Sequence, residues 1–553
     1  MIKSSTNIHS LSYLVVLTLI AMSLPLSKFT MSVFEFLLVA LWLWAGFSFS
    51  ISVRFFKMGG FFKGTAHFFS YVGTLAYENV TEKIVAFSKN RPALILTSIY
   101  FMHVIGLFYT SDIDYALKDL RIKLPLLLFP IILSTMEKIE YRRFRIMMIF
   151  YVLATLAGTL ISFSLMMKAN FTDIREVSPF ISPIRFGLNI TFSLFTLVYF
   201  IILDKKFRFW QKILFGIVIA WFVAILILLE SLTSLWIVLF IMVLYSVILL
   251  FRTQNLIVKL SFVMLAVGIP LVVILYVKHI VHETRTPPHI VAAELDTHTA
   301  SGNTYVHDTI NLGVEDGRYL GLYLCEKEMA EAWNKRSSYK YNGRTRGGEE
   351  MKATLIRYLT SKNLRKDAEG VNALTDWDVK MIEKGVANYR YVKNPGLRTR
   401  ILKIMIGYDV YKKTGDPSGS SVMQRIEYSK AAIKLIHENF WTGVGTGDIE
   451  NKLISEYIQM GSELKKEFMF HAHNQFLAIF VTFGVFGFLF FIFALIYPAV
   501  KAGGFKDYFF VTFFIIIIIS MFSDDTLETQ AGATLFAFFY TFLLFGKKRQ
   551  NST

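Results

Sequence analysis

The strongest constraint on this chain is a series of apolar runs, each about as long as a helix needs to cross a hydrocarbon core of ~30 Å. They lie at 11–27, 31–50, 93–110, 117–135, 145–166, 185–203, 211–229, 232–251, 258–280, 474–498, 508–523 and 530–546. The fourth is the least regular, because Lys118, Arg121, Lys123, Pro125 and Pro130 interrupt it. Hydrophobic residues make up 54% and charged residues only 18%, against about 25% charged in soluble proteins. The expected fold is therefore an all-α polytopic membrane protein with about twelve transmembrane helices. The first run reads as an uncleaved helix: only Lys3 precedes it as a cation, no small-x-small site follows, and a second run begins almost at once.

The formal net charge of +17 would suit nucleic acid if it were gathered in one place. It is instead distributed over alternate loops. With the N-terminus in the cytoplasm, the inner loops carry Arg54 to Arg91, then Lys138 to Arg145, Lys205 to Lys212, Arg252 and Lys259, Lys501 and Lys506, and Lys547 to Arg549. This is the positive-inside pattern, so the partner of the basic residues is membrane lipid and not nucleic acid. Phenylalanines and lysines mixed over 51–92 read as a helix on the cytoplasmic membrane surface.

The expected organisation is nine spans in 1–280, an outer polar domain at 281–470, and three spans in 471–553. The polar stretch is too long for a passive connection. Helical spacing over 326–333, 349–359 and 376–384, the last capped by Thr375, makes it mostly helical. A further helix is expected at 422–440, with Glu427, Lys430, Lys434 and Glu438 on its solvated face and Arg425 projecting inward beside Ser429, Ala432 and Ile436. The single cysteine, Cys325, has no partner for an internal disulfide and is read as structural.

The residues with chemical potential gather at the outer ends of the runs. His473 opens the 474–498 run, and ionisable groups near lipid are costly unless used. On a helical wheel Phe480, Gly484, Gly487 and Phe491 fall within about 40° of it, whereas His471 projects elsewhere. The glycines would admit a close neighbour and so aim the imidazole; the alternative is a wetted interfacial histidine above a packing motif. Arg121 and Lys123 are outer cations, suited either to a diphosphate or to pairing with Asp112, Asp114 and Asp119. Arg185 lies one turn into a run that Ser182 and Pro183 begin. Glu230 sits in an outer turn, where it either orients a sugar hydroxyl or an arginine, or is simply solvated. Arg425, facing inward, needs an anion, structural or substrate. The glycines of 441–448 lack a preceding strand and the Lys-Ser/Thr of a nucleotide loop, so they read as a turn, with backbone donors to a diphosphate as the alternative. Asp524, Asp525 and Glu528 either hold arginines or bind a divalent ion, and their spacing reaches no metal motif.

His473-Asn474, followed after nine residues by Gly484 and after two more by Gly487, resembles the signature of the bacterial O-antigen ligase and polymerase superfamily. These are membrane glycosyltransferases acting on polyprenyl-diphosphate-linked glycans. The resemblance implies that His473 is a general base and that Arg185 and Arg425 are essential arginines binding diphosphate, with Arg175 the fallback for Arg185. Beside these, Arg121, Lys123, Asn474, Arg175 and Glu230 are expected as substrate contacts, and neither a cofactor nor a metal is expected. The donor would be an undecaprenyl-diphosphate-linked glycan, the acceptor the lipid A core, and the site the periplasmic side of the inner membrane. A polymerase and a protein O-oligosaccharyltransferase are the alternatives within the superfamily. A transporter or a sensor are the alternatives outside it; the former would carry charges near the bilayer midplane, where the runs show few.

Overall fold

The structure is a computed structural model that describes residues 2–43, 74, 77–168, 171 and 174–548. Among them, seven helices are long and apolar enough to cross a membrane: Arg91–Tyr109, Tyr141–Met167, Pro183–Ile202, Phe209–Leu228, Leu232–Arg252, Leu256–Arg285 and Gln475–Lys501. Three shorter apolar helices cover His9–Ser23, Tyr508–Ser523 and Gln530–Gly546. The runs expected at 31–50 and 117–135 fall on the helices Lys28–Leu43 and Ile113–Thr135, which do not meet that measure. In the second, Lys118, Asp119, Arg121 and Lys123 in its N-terminal half are the reason. The chain is thus a mostly helical, multi-pass membrane protein. The surface helix expected over 51–92 falls largely outside the described residues; within it, residues 77–89 are helical.

The chain divides into two compact units, the first comprising 1–160, 180–223 and 423–553, the second 161–179 and 224–422. In the first unit the Pro183 helix is buried nearly all round. Phe192 lies at its centre, with ring centroids 4.8 Å from Phe539 and 5.2 Å from Phe513. Polar groups there are spent on neighbours: Tyr151 donates to Asn189 Oδ1 at 2.9 Å and Ser193 to Thr155 at 3.0 Å. Small and hydroxylated residues are what helices in lipid use to approach closely, since lipid offers no hydrophobic drive between them.

The second unit holds most of the polar stretch. Its helices Glu326–Arg336, Met351–Ser361 and Asp376–Glu383 lie where the spacing puts them. Thr375 and Asp378 form a reciprocal capping box. Trp333, Leu355, Tyr358 and Ile382 are fully buried among them. The stretch is less uniformly helical than expected, because it also carries two small antiparallel sheets, Val306–Asp308 with Gly321–Leu324 and Val314–Glu315 with Arg318–Tyr319. The second is closed by Asp316 and Gly317, both at positive φ, the turn chemistry that matches strand twist in a two-residue hairpin. Cys325 is buried.

Candidate functional site

The 475–501 helix does not start at His473. Asn474 is its N-cap, accepting from the amides of Phe476 and Leu477 at 3.0 and 3.1 Å, and His473 precedes it at φ 45°. The helix also breaks at Gly484 (φ 62°, ψ −167°). A wheel drawn from His473 through Gly484 therefore does not describe the molecule, and the glycine face does not aim the imidazole. Left-handed backbone costs an ordinary residue about 1–2 kcal/mol, so the conformation of His473 must be held by what surrounds it.

What surrounds it is a pair of carboxylates. His473 Nδ1 lies 3.4 Å from Asp524 Oδ1 and 3.4 Å from Asp525 Oδ1, and both aspartates are buried. Arg185 reaches the same pair: its Nη2 is 2.8 Å from Asp524 Oδ2 and donates to the Asp525 carbonyl at 3.1 Å. Its Nη1 takes Ser182 Oγ at 3.3 Å, so the hydroxyl at the helix start serves the guanidinium and not the backbone. Arg185 Nε is buried without a hydrogen-bond partner among the described residues. Burial alone would lower the pKa of His473, but the hydrogen bonds and charges of Asp524 and Asp525 outweigh it and raise it to about 9. Asp525 feels burial in the opposite sense, and His473 and Arg185 nevertheless hold it well below the usual carboxylate range. The near-neutral histidine expected of a general base is thus replaced by one that is mainly protonated at pH 7.

The Ser421–Glu438 helix sets the Tyr428 ring against His473, with ring centroids 5.3 Å apart and the planes tilted by 41°. Arg425 is one turn earlier on this helix, half-buried. Ala432 and Ile436 are buried as expected, but Glu427 is not solvated: it is 6% exposed and accepts from Lys430 at 2.7 Å and Ser462 at 2.9 Å. The helix leads into Trp441–Gly447, whose glycines do not face a ligand. Val444 and Gly445 donate to the carbonyls of Val481 and Thr482 at 2.9 Å each, and Val485 donates to Phe440 at 2.8 Å, where an unbroken helix would send it to Val481. Gly443 donates to Asn439, and Gly447 to Thr110. These amides are spent inside the protein, so they are not diphosphate donors. Asp448 then receives Ser111 and Asp112 backbone amides at 2.9 Å each, fixing the loop before the Ile113 helix.

The remaining sequence candidates separate. Lys123 is fully buried, its ammonium held by Asp119 and, at 2.5 Å, by Glu528. It is a pairing cation and not an outer diphosphate ligand. Arg121, two residues earlier, is exposed. Asn474 spends its carbonyl on the cap and its amide on Phe522 O at 3.1 Å, which leaves it structural in place of a substrate contact. His471 accepts or donates with Tyr115 Oη at 2.9 Å. In the second unit Glu230, at φ 53°, is buried and paired with Lys403 at 3.1 Å, so it is neither solvated nor open to a sugar. Arg175 lies in the short helical turn Ile174–Val177, and its side chain is outside the described residues. Gln475 and Tyr428 were not among the sequence candidates for the site. The two aspartates were, as acids expected either to hold arginines or to bind a divalent ion, and Asp524 does pair with Arg185.

His473, Asp524 and Asp525 offer three ligand atoms within 4.8 Å of one another, enough to contact a cation. The guanidinium on Asp524 already supplies a fixed positive charge there, which a divalent ion would have to oppose.

Residues 385–492 match the Wzy_C family model, described as O-antigen ligase. The resemblance read from the His-Asn-glycine motif holds over this segment, which contains Arg425, His473 and the 441–447 turn. Arg185, Asp524 and Asp525 lie outside it and reach the site through the fold. No curated protein matches the chain.

Proposed function

We propose that this chain, whose residues 385–492 match the O-antigen ligase family model, transfers a glycan from undecaprenyl diphosphate to a hydroxyl of the lipid A core, on the periplasmic face of the bacterial inner membrane and without a metal. The observation that carries this reading is the buried cluster of Arg185, Asp524, Asp525 and His473. With both aspartates on the Nδ1 side of the ring, the neutral imidazole keeps its proton there and presents the Nε2 lone pair to an acceptor. The acceptor hydroxyl loses its proton to Nε2, its oxygen bonds to the anomeric carbon, and the bond from that carbon to the diphosphate oxygen breaks. Arg425, and Arg185 through its unspent Nε–H, supply the cations that stabilise the departing diphosphate.

Deleting the protein and examining lipopolysaccharide tests the reading. Loss of all capped chains supports the ligase, single-repeat caps point to a polymerase, and an unchanged ladder removes both. Arg425→Lys keeps the charge but loses the planar fork. Donor affinity is expected to fall at least tenfold, read by donor binding in reconstituted membranes; undiminished binding would remove Arg425 from the donor site. The sidedness has its own test. Lys340, exposed in the second unit, is expected to react as Lys340→Cys with an impermeant maleimide in cells whose inner membrane is intact, against little background from buried Cys325. Labelling only after the inner membrane is breached would reverse the orientation.

A further inference from the structure

Three consecutive residues, His473, Asn474 and Gln475, each grip the 522–528 segment. His473 meets Asp524 and Asp525, Asn474 donates to Phe522 O, and Gln475 accepts from the Leu527 amide at 2.7 Å and donates to Glu528 Oε1 at 2.8 Å. The segment has little slack. Thr526 and Ser520 hydroxyls meet at 3.0 Å, and a Cβ on Gly532 would lie 1.8 Å from Thr526 O. Glu528 is held from behind by Lys123, whose ammonium is also bound by Asp119, with His103 Nδ1 3.2 Å from that second carboxylate. A fully buried cation costs several kcal/mol to desolvate and adds little stability over an apolar replacement. Lys123 sits on the other oxygen of the carboxylate that Gln475 holds, and that carboxylate belongs to Glu528, three residues from Asp525 in sequence; this placement gives the cation a different use.

We propose that Lys123 is a positioning residue: through Glu528 and Gln475 it fixes the segment that carries Asp524 and Asp525, and so sets their distance from His473. The proposal rests on His473 being the reacting base. If Lys123 were withdrawn, Asp119 would be left as a buried, unbalanced charge and the half-buried Glu528 would lose its cation, the Gln475 contact would shift, and the aspartates would recede from Nδ1.

The test uses full-length protein in detergent with ¹³C-labelled histidine, the His473 resonance being identified by its absence in His473→Ala. Two variants are compared with the parent: Lys123→Met, and the neutral triple Asp119→Asn, Lys123→Met, Glu528→Gln, which leaves no unpaired buried charge if the single variant fails to fold. In each folded variant the His473 pKa is expected to drop from about 9 by about one unit or more, because a carboxylate moving out of range removes a shift of that size. The kcat for glycan transfer is expected to fall at least tenfold with donor KM within twofold. Folded variants with unchanged titration and unchanged kcat would overturn the proposal and leave the ion pair purely structural. Should neither fold, Gln475→Met cuts the same link without exposing a charge, and unchanged readouts there would overturn it equally. Absence of transfer by the parent, with the titration still moving in the variants, would instead defeat the glycosyltransfer reading and leave the positioning intact.

Discussion

Replacing His473 by alanine is expected to lower glycan transfer by about 10²–10⁴-fold, the usual worth of a positioned general base, while donor binding stays within a few-fold of the parent. The pH dependence makes this sharper. With its pKa raised to about 9, only about one imidazole in a hundred is neutral at pH 7, since each unit is a factor of ten. Where only the neutral form accepts a proton, kcat/KM should rise about tenfold per unit from pH 7 and level off near 9. A plateau already reached at pH 7 would remove His473 as the base. The same shift has a consequence for stability. A group whose pKa is raised on folding stabilises the folded state fully below its unfolded value, ordinarily about 6.5, and loses that contribution as pH rises through about 9. The plateau for turnover near pH 9 therefore lies where the cluster has already lost most of this stabilisation, the loss beginning near 6.5.

The second large effect belongs to Gly484. Its φ of 62° is one that L side chains rarely adopt, and an added Cβ would lie 2.3 Å from Trp441 O and 2.6 Å from Thr442 N. Backbone, unlike a side-chain tip, cannot turn away. Gly484→Ala is expected to cost about 3 kcal/mol or more, from the left-handed penalty and the overlap together, read as a fall in the thermal unfolding midpoint in detergent. Transfer should be lost with it, since Gly484 seats the strand of backbone that ends the Arg425 helix. Gly216→Ala is the control. Nothing lies within 4 Å of where its Cβ would point and its φ is not left-handed, so it should cost little. Equal losses for the two would refute the idea that backbone docking is what requires glycine at 484.

The apolar helices, the long polar stretch and the histidine motif were legible because each is a local property of composition or spacing. Arg185 was legible for the same reason, through the Ser182-Pro183 helix start. That the acids of 524–528 would hold an arginine was one of two readings of that loop; which arginine, and that His473 shares them, was not legible, since Asp525 lies 340 positions from Arg185 and Asp524 lies 51 from His473. Gly484 misled for a physical reason. A glycine in an apolar run fits a close helix contact as well as a break, and the break exists only because Phe440–Gly445 supplies the hydrogen bonds that it leaves unmade. Glu427 misled in a similar way, since its spacing matches the exposed residues and its burial comes from Ser462, on a turn that sequence does not bring to it. The Asp316-Gly317 hairpin, by contrast, carried a local signal, overshadowed by the helical spacing on either side of it.

The docking of Phe440–Gly445 on Val481–Val485 also decides where the chain tolerates lengthening. It closes residues 446–480 into a loop whose ends are already pinned by backbone pairs. Closure entropy grows only logarithmically, about 0.6 kcal/mol for each doubling of a flexible loop. Gly461, with φ 62° and open space where a Cβ would point, is therefore a place where an affinity tag or a fluorescent reporter can be spliced in at small cost. One extra residue between 440 and 445, or between 481 and 485, would shift every one of those pairs out of step. Neighbouring stretches of one short region thus differ completely in what an engineer, or an insertion in the gene, can do to them.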